Sequence, residues 1–354
     1  MQRGDIDLLV CGDINIQHRS EPESVFALVK DELRKADVRL GNCEMCLSSP
    51  RDCIPAKRPL PDEPPWLQSD ARMAEALVAA GFDLVTTANN VTFGASAIIE
   101  SLQTLDRNGI PHTGSGASIA EARRPAILTT RNGTRLGLLG YTCVYYPLDH
   151  AATEKEPGVA VLKCHTAYEP HPRANELPGA PPTVRSWPDP EQLDAVKADV
   201  KSLRPEVDIL VTYFHMGVSS QDELCEYQRH IGRAMVDAGV DLVFGSSAHK
   251  PQAIEIYQGK PIFYGMGNFA FDWSFLRERR HGLLARFEIS GGAVKRVSFR
   301  PVTRTRNDAN QVQILSASSA EGREIVERVA ELSKGFGTRL TTEEDGTVTV
   351  TAAA

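Results

Sequence analysis

Two histidines, two carboxylates and a pair of amides stand at the exits of apolar strands in this chain, and together they have the donor chemistry of a hydrolytic metal centre. His215 lies in YFHMG (Tyr213 to Gly217), and His249 closes VDLVFGSSAH (Val240 to His249), shortly before FYGMGNF (Phe263 to Phe269). Upstream, strands expected at Ile6–Cys11, Val38–Gly41 and Leu84–Thr87 run into Gly12-Asp13, Asn42-Cys43-Glu44 and Asn89-Asn90. In an open α/β sheet, ligands bind beyond the carboxyl ends of the strands. A mixed set of carboxylate, amide and imidazole suits a divalent metal that activates water. Each residue alone has a plainer reading: Asp13 as a turn cap, Glu44 as a solvated loop carboxylate, Asn89-Asn90 as a turn pair, His215 as a satisfied near-core group and His249 as a loop residue. Five such strand ends on one edge of a single expected sheet favour the metal.

The elements that must position these groups follow a strand–helix alternation. A helix near Glu23–Ala36 separates the first two strands. A proline-rich loop, Ser48 to Trp66, comes next, then a helix over Asp70–Ala80 stopped by Gly81. Strand Asp83–Thr87 and helix Ala95–Arg107 follow, and Asn132-Gly133 marks a hairpin joining Ala126–Thr130 to Arg135–Tyr141. The segment 150–190 breaks the rhythm and is expected to be a lid loop over the metal cleft, with His165, Glu169, His171 and Arg173 as its polar groups. Helix Glu191–Ser202, strand Val207–Tyr213, helix Asp222–Ala238 and strands Val240–Gly245 and Pro261–Tyr264 complete the main body. Strands Leu283–Ile289 and Val294–Val302, a helix near Ala320–Leu332 and one strand in the tail Thr341–Ala354 come last. The spacing predicts an α/β protein with its main domain over 1–305 and a C-terminal helix and strand, 306–354, packed on the same domain.

With 354 residues, 42% hydrophobic and 24% charged, the composition is that of a globular protein. A formal net charge of −7 argues against nucleic acid as a partner. The N-terminus enters a strand almost at once, without the apolar core of a signal peptide, and no apolar run is long enough to span a bilayer. A cytoplasmic protein without a membrane anchor, acting on a small molecule, is the expectation; the oligomeric state is left open. Seven cysteines in irregular spacing fit a reducing compartment. Cys43-x-x-Cys46, near Cys11 and Cys53, has metal-ligand spacing but lacks a second tight pair, so small buried side chains are the preferred reading. Gly265-Met266-Gly267 lacks the third glycine and following helix of a dinucleotide loop, and no G-x-S-x-G elbow ends a strand.

These segments resemble a known family. VCGDIN, LGNCE, AGFDLVTTANN, LDRNGIPHTGSG, RLGLLGY, FHMG and DAGVDLVFGSSAHKPQAIEIYQGKPIFYGMGNFAFD occur in the order found in the CapA proteins of bacterial capsule and poly-γ-glutamate synthesis, from Asp5 to about Asp272. The resemblance implies a metallophosphoesterase-like four-layer αββα sandwich. It also implies metal ligation by Asp13, Glu44, Asn90, His215 and His249, with Asn15, Asn42, Asn89, Ser247 and Asn268 around them. The chain departs from the family pattern at Val91, where the family has a histidine expected to protonate a leaving group. It departs again at Ser247, where a ligating histidine is usual, and at Ser219, where the family has Glu. One tight site (Asp13, Glu44, His249, with Asn15 as a further donor) and a second, weaker one (Glu44, Asn90, His215) are therefore expected, for Mn, Fe or Zn. His281 is a candidate proton donor alongside His215, and Arg277, Arg279 and Arg280 are candidate anion binders. The implied function is that of a metal-dependent hydrolase of specialised or γ-glutamyl and capsule polymer metabolism. The alternative is a non-catalytic accessory component of such a system.

Overall fold

In a computed structural model that describes residues 4–48, 69–273, 276 and 278–353, the alternation resolves into two facing sheets rather than one. The proline-rich loop beyond Ser48, Cys53 and Arg277 lie outside the described residues. Strand Ile6–Asn15 is the centre of a ten-stranded sheet. On one side it pairs in parallel with Val38–Cys43, which pairs with Leu84–Thr86. On the other side its first half runs antiparallel to Gly282–Ser290, and its last residues run parallel to Asn268–Phe271. The second sheet has six strands, with Ile209–Met216 and Leu242–Ser247 side by side and parallel at its centre.

The strands form here because nearly every residue of the central runs is apolar, as expected where both faces of a sheet are covered. Side chains alternate between the faces with period two. Leu8 and Val10 of the first sheet meet Val211, Tyr213 and Phe244 of the second in the core between the sheets. Leu9 and Cys11 point the other way, toward helix Ala74–Ala80 and the turn carrying Val25 and Phe26. Leu210, Phe214 and Val243 of the second sheet pack outward on helices Pro190–Leu203 and Glu226–Asp237. Helices therefore cover both outer faces, and the architecture is a four-layer αββα sandwich. No helix among the described residues is long and apolar enough to cross a membrane.

Local signals act as chemistry dictates. Gly81 closes its helix in the left-handed conformation (φ 79°), and Ala95–Arg107 is helical over its expected span. The helix expected over Glu23–Ala36 is instead a 3-10 turn, Pro22–Phe26, and a short helix, Lys30–Lys35. The break lets Val25, Phe26, Val29 and Leu33 all bury against the sheet, so packing overrides helix propensity. Segment 150–190 is not a structureless loop: Cys164–Glu169 and Thr183–Pro188 pair as an antiparallel ribbon. Its polar groups are engaged locally, His165 with Asp189, Arg173 with Glu176, and Arg185 with Glu169 and Glu226. The ribbon leans on helix Glu226–Asp237 through Arg185 and Ser186. The C-terminal segment provides helix Ala320–Ser333 and three strands, Val312–Ile314, Thr338–Thr342 and Val348–Ala352, the first and last of them joined to Ala293–Arg304 of the first sheet. Ile325, Val329, Val348 and Val350 enter the core between the sheets.

Two glycines set how closely the chain can pass itself beneath the strand ends. A Cβ on Gly12 would lie 1.9 Å from the Gly267 carbonyl oxygen, and one on Gly245 would lie 2.2 Å from that of Tyr264. The close pass at Gly12 permits the hydrogen bond from Asp13 N to Gly267 O (3.0 Å), which fixes where the Asp13 side chain starts. Gly12→Ala should lower unfolding stability by about 1–3 kcal/mol, the usual cost of overpacking. Urea denaturation reads this, and an unchanged midpoint contradicts the close approach.

Candidate metal centre

The site lies where the two sheets present their carboxyl ends to each other, so its residues come from both sheets and not from one edge. Asp13 lies near the end of the central strand of the first sheet, Asn42 is paired with it near the end of the neighbouring strand, and Glu44 follows that strand. Asn89 and Asn90 lie beyond Leu84–Thr86. From the second sheet come His215, within Ile209–Met216, and the turn Ser247-Ala248-His249 after Leu242–Ser247. Tyr213 ties the sheets together below the site, its hydroxyl donating to the Cys11 carbonyl at 3.1 Å.

Asp13, Glu44 and His215 are buried, and one potential ligand atom from each lies within 4.8 Å of the others. His215 Nε2 is 3.8 Å from Glu44 Oε1, and its Nδ1 is 3.9 Å from Asp13 Oδ1. His249 reaches the same carboxylates from the other side, with Nδ1 3.5 Å from Asp13 Oδ2 and Nε2 3.9 Å from Glu44 Oε1. Asn90 Oδ1 is 2.8 Å from His215 Nε2. Donors bound tetrahedrally at about 2.1 Å would stand about 3.4 Å apart, close to the His–carboxylate separations. The tightest cluster groups His215, rather than the expected His249, with Asp13 and Glu44, and both imidazoles approach the same Glu44 oxygen.

The supporting hydrogen bonds explain the surrounding amides. Asn42 Nδ2 donates to Asp13 Oδ1 (2.7 Å) and lies 3.2 Å from His215 Nδ1, so one amide orients a carboxylate and an imidazole. Asn15 Nδ2 donates to the Glu44 carbonyl at 2.6 Å, bracing that loop rather than touching the Glu44 carboxylate. Asn89 donates to Asn42 Oδ1 and to the Cys43 carbonyl, while its own oxygen accepts from Val91 N, Thr92 N and the Thr92 hydroxyl. Its amide is consumed in building the loop that presents Asn90. Asn268 Oδ1 bonds His249 Nδ1 at 2.9 Å, which leaves Nε2 of that ring free to face Glu44. The backbone N–H of Ser247 donates to Asp13 Oδ2 at 3.3 Å, and the Ser247 side chain is not what the site uses in that contact.

The strain and electrostatics are concentrated here. Ser247 (φ 86°) and His249 (φ 54°) both adopt the left-handed conformation, which costs a non-glycine residue about 1–3 kcal/mol. Burial, reinforced by the Asp13 charge, pushes the Glu44 carboxyl well above its usual range. Burial also lowers the His215 imidazole to about 4 and shifts His249 downward, so both rings are neutral at physiological pH and have a lone pair to offer. Neither Glu44 carboxylate oxygen has a hydrogen-bond partner among the described residues, although the side chain is only 1% exposed.

Two further expected residues stand apart from the cluster. His281 bonds Glu321 of the C-terminal helix at 3.0 Å, and Arg279 bonds the Ser220 hydroxyl at 3.1 Å. Both line a cavity on the outer side of His249. Three residues that the sequence reading passed over serve the site. Ser246 Oγ lies 3.0 Å from His215 Nδ1. His150, buried, bonds the Thr92 carbonyl at 3.0 Å and accepts from Tyr146 N, tying the Asn90 loop to the next turn. Tyr146 packs edge-on against Phe93 at 5.4 Å. Ser246 was legible as the residue before a departure from pattern; His150 and Tyr146 carry no spacing signal at all.

The family model for the bacterial capsule synthesis protein PGA_cap matches residues 7–273. The PGA biosynthesis protein CapA of Bacillus subtilis is 26% identical over 282 residues, 79% of this chain and 65% of that protein. A probable polyglutamine synthesis accessory protein of Mycobacterium tuberculosis, MT0602, is 27% identical over 293 residues, covering 79% of this chain and 69% of its own length. The chain thus spans about two thirds of the length of these relatives. Among solved structures, the crystal structure of TT1561 of Thermus thermophilus aligns with a TM-score of 0.41 at 10% identity, over 82% of this chain and 97% of that one. Every strand end that supplies the buried cluster falls inside the matched region, and the chain belongs to the CapA family of bacterial capsule synthesis proteins.

Proposed function

We propose that this chain is a metal-dependent hydrolase acting on a small carboxylate-, amide- or phosphate-bearing substrate in capsule, γ-glutamyl or specialised metabolism. The observation that carries this reading is Glu44. A buried carboxylate with neither oxygen hydrogen-bonded is costly, and here it faces a second buried carboxylate and two neutral imidazoles. A cation satisfies all four groups at once. Asp13, Glu44 and His215 would hold it, with His249 and Asn90 flanking, and the oxygen and nitrogen donors favour Mn, Fe or Zn. Such an ion supplies Lewis acidity toward an acyl or phosphoryl oxygen and lowers the pKa of water.

The chain's own residues orient and exclude. Asn42 and Asn268 hold Asp13, His215 and His249 in one rotamer each. Val91, 3% exposed, keeps water from the Asn90 side but has no proton to give. His281 is the candidate donor to a leaving group, approaching from the cavity beyond His249. A second reading, a non-catalytic accessory component, draws on the Mycobacterium relative's name as a probable accessory protein and on the valine and serine at positions 91 and 247.

Metal content and turnover separate the two readings. Wild-type protein should purify with near-stoichiometric transition metal by elemental analysis, and His215→Ala and Glu44→Ala should each lose it. Equal metal content in all three would remove the assignment. Asn268→Ala, which only releases His249, should weaken metal affinity about 10–100-fold.

Turnover should depend on the leaving group. Nitrophenyl phosphate should be hydrolysed far faster than alkyl phosphates, because Val91 cannot assist departure. Val91→His should raise alkyl phosphate hydrolysis, with about 10²–10⁴-fold as the ceiling for general acid help. Fast release of phosphate from alkyl esters by wild type would contradict this account of position 91. No turnover of either ester by fully metallated protein would favour the accessory role.

A further inference from the structure

The cavity on the outer side of His249 measures about 870 Å³, within the range of small-molecule sites. One wall is the Lys250-Pro251 turn. The opposite wall is helix Ala320–Ser333, and Arg279, Arg280 and His281 lie between. All of these except the Lys250-Pro251 turn lie beyond residue 273, where the family match ends. Eleven of the fifteen residues that line the cavity therefore lie outside the matched region.

Its charges are balanced: five Lys or Arg side chains against five Asp or Glu. Several neutralise one another. Asp222 receives Lys250 and Arg328, the latter at 2.6 Å, and this pins the C-terminal helix to the domain. Arg280 and His281 share Glu321, at 3.5 and 3.0 Å, and Glu331 is paired with Lys334. Arg279, Glu324 and Glu327 line the cavity without an ion pair among the described residues, as do their chain neighbours Glu278 and Arg323, the latter using its guanidinium on the Ser318 carbonyl. Arg279 uses only Nε, on Ser220 Oγ, which leaves the outer edge of its guanidinium as a fork for a carboxylate. Its carbonyl accepts from Asn268, the same side chain that holds His249, so Arg279 marks the end of the cavity nearest the buried cluster. Glu324 and Glu327 stand three residues apart on one face of the helix wall.

A purely anionic ligand would meet these two glutamates, and a purely cationic one would meet Arg279. We infer that the cavity binds the zwitterionic, amino-acid-like end group of a ligand, with its carboxylate on Arg279 and its ammonium on Glu324 and Glu327. The remainder of the ligand then extends toward His249, and only this last placement rests on the hydrolase reading.

Calorimetric titration of the full-length chain in a chelating buffer tests the cavity independently of the metal. The probes are L-glutamine, D-glutamine and glutaramate, which keeps the carboxylate and amide but lacks the ammonium. At least one glutamine enantiomer should bind saturably and glutaramate about tenfold more weakly or worse, since a lost hydrogen bond to a charged group costs about 1.5–3 kcal/mol. Arg279→Ala and the double variant Glu324→Gln/Glu327→Gln should each weaken glutamine by a similar factor, with Arg279→Lys intermediate and thermal midpoints unchanged. Glutaramate binding as tightly as glutamine, glutamine binding untouched by both variants, or no saturable binding of either enantiomer would each overturn the inference. Loss of metal binding elsewhere would leave these results unaffected.

Discussion

Two carboxylates, Asp13 and Glu44, are enclosed between two β-sheets where water is excluded, and most of the surrounding structure is accountable as a response to that charge. Like charges in a low-dielectric interior cannot both persist without a counter-charge. Asp13 is met by an amide and a backbone N–H, from Asn42 and Ser247. Glu44 has neither, and around it stand imidazoles that burial keeps neutral. Neutral imidazoles do not cancel a carboxylate, but they are good donors to a cation that does. On the proposed metal-binding reading, the unpaired Glu44 is a chemical requirement built into the fold and not a packing fault.

Meeting that requirement needs backbone precision from both sheets. Glycines at 12 and 245 let neighbouring segments pass within hydrogen-bonding distance just below the strand ends. Left-handed backbone at Ser247 and His249 then turns one N–H toward Asp13 and one ring toward both carboxylates. Strain at two closely spaced positions is tolerated because the strand before them is buried on both faces. On the other side, Asn89 gives up its whole hydrogen-bonding capacity to shape the loop that offers Asn90. His150 locks that loop from outside, through the Thr92 carbonyl. Val91 therefore sits in a loop whose shape is held by hydrogen bonds that its own side chain does not supply.

Strand ends were readable because apolar runs stop abruptly at Gly-Asp, Asn-x-Glu, Asn-Asn and Ser-x-His, and such stops are set by local chemistry. What periodicity could not show is which strands share a sheet. Both sheets are covered on both faces, so their strands have the same unbroken apolar pattern, and five ends on one edge became ends from two sheets. The ribbon within 150–190 was hidden by a proline-rich connection, although Thr166 to Glu169 and Thr183 to Ser186 carry ordinary strand residues. The second tail strand was missed for a different reason. Asp345-Gly346 is a hairpin signal of the same kind as Asn132-Gly133, but the threonines around it suggested a single frayed strand. His281 and Arg279 could be picked out by type. Their partners, Glu321 and Ser220, depend on long-range packing of the C-terminal helix and the Ser220 turn that spacing does not encode.

The central claim is that the Glu44 carboxylate is stabilised by a cation and is a liability without one. Glu44→Gln is nearly isosteric and cannot ionise, so thermal unfolding of both proteins, with chelator and with saturating Mn or Zn, tests the claim directly. With chelator, Glu44→Gln should unfold at or above the wild-type temperature, because a buried carboxyl that ionises only at a cost has been replaced by a neutral amide. With metal, wild type should rise by several degrees and overtake the variant, which should gain little. A wild type that is the more stable protein under chelation, or that gains no more from metal than the variant does, would contradict the account.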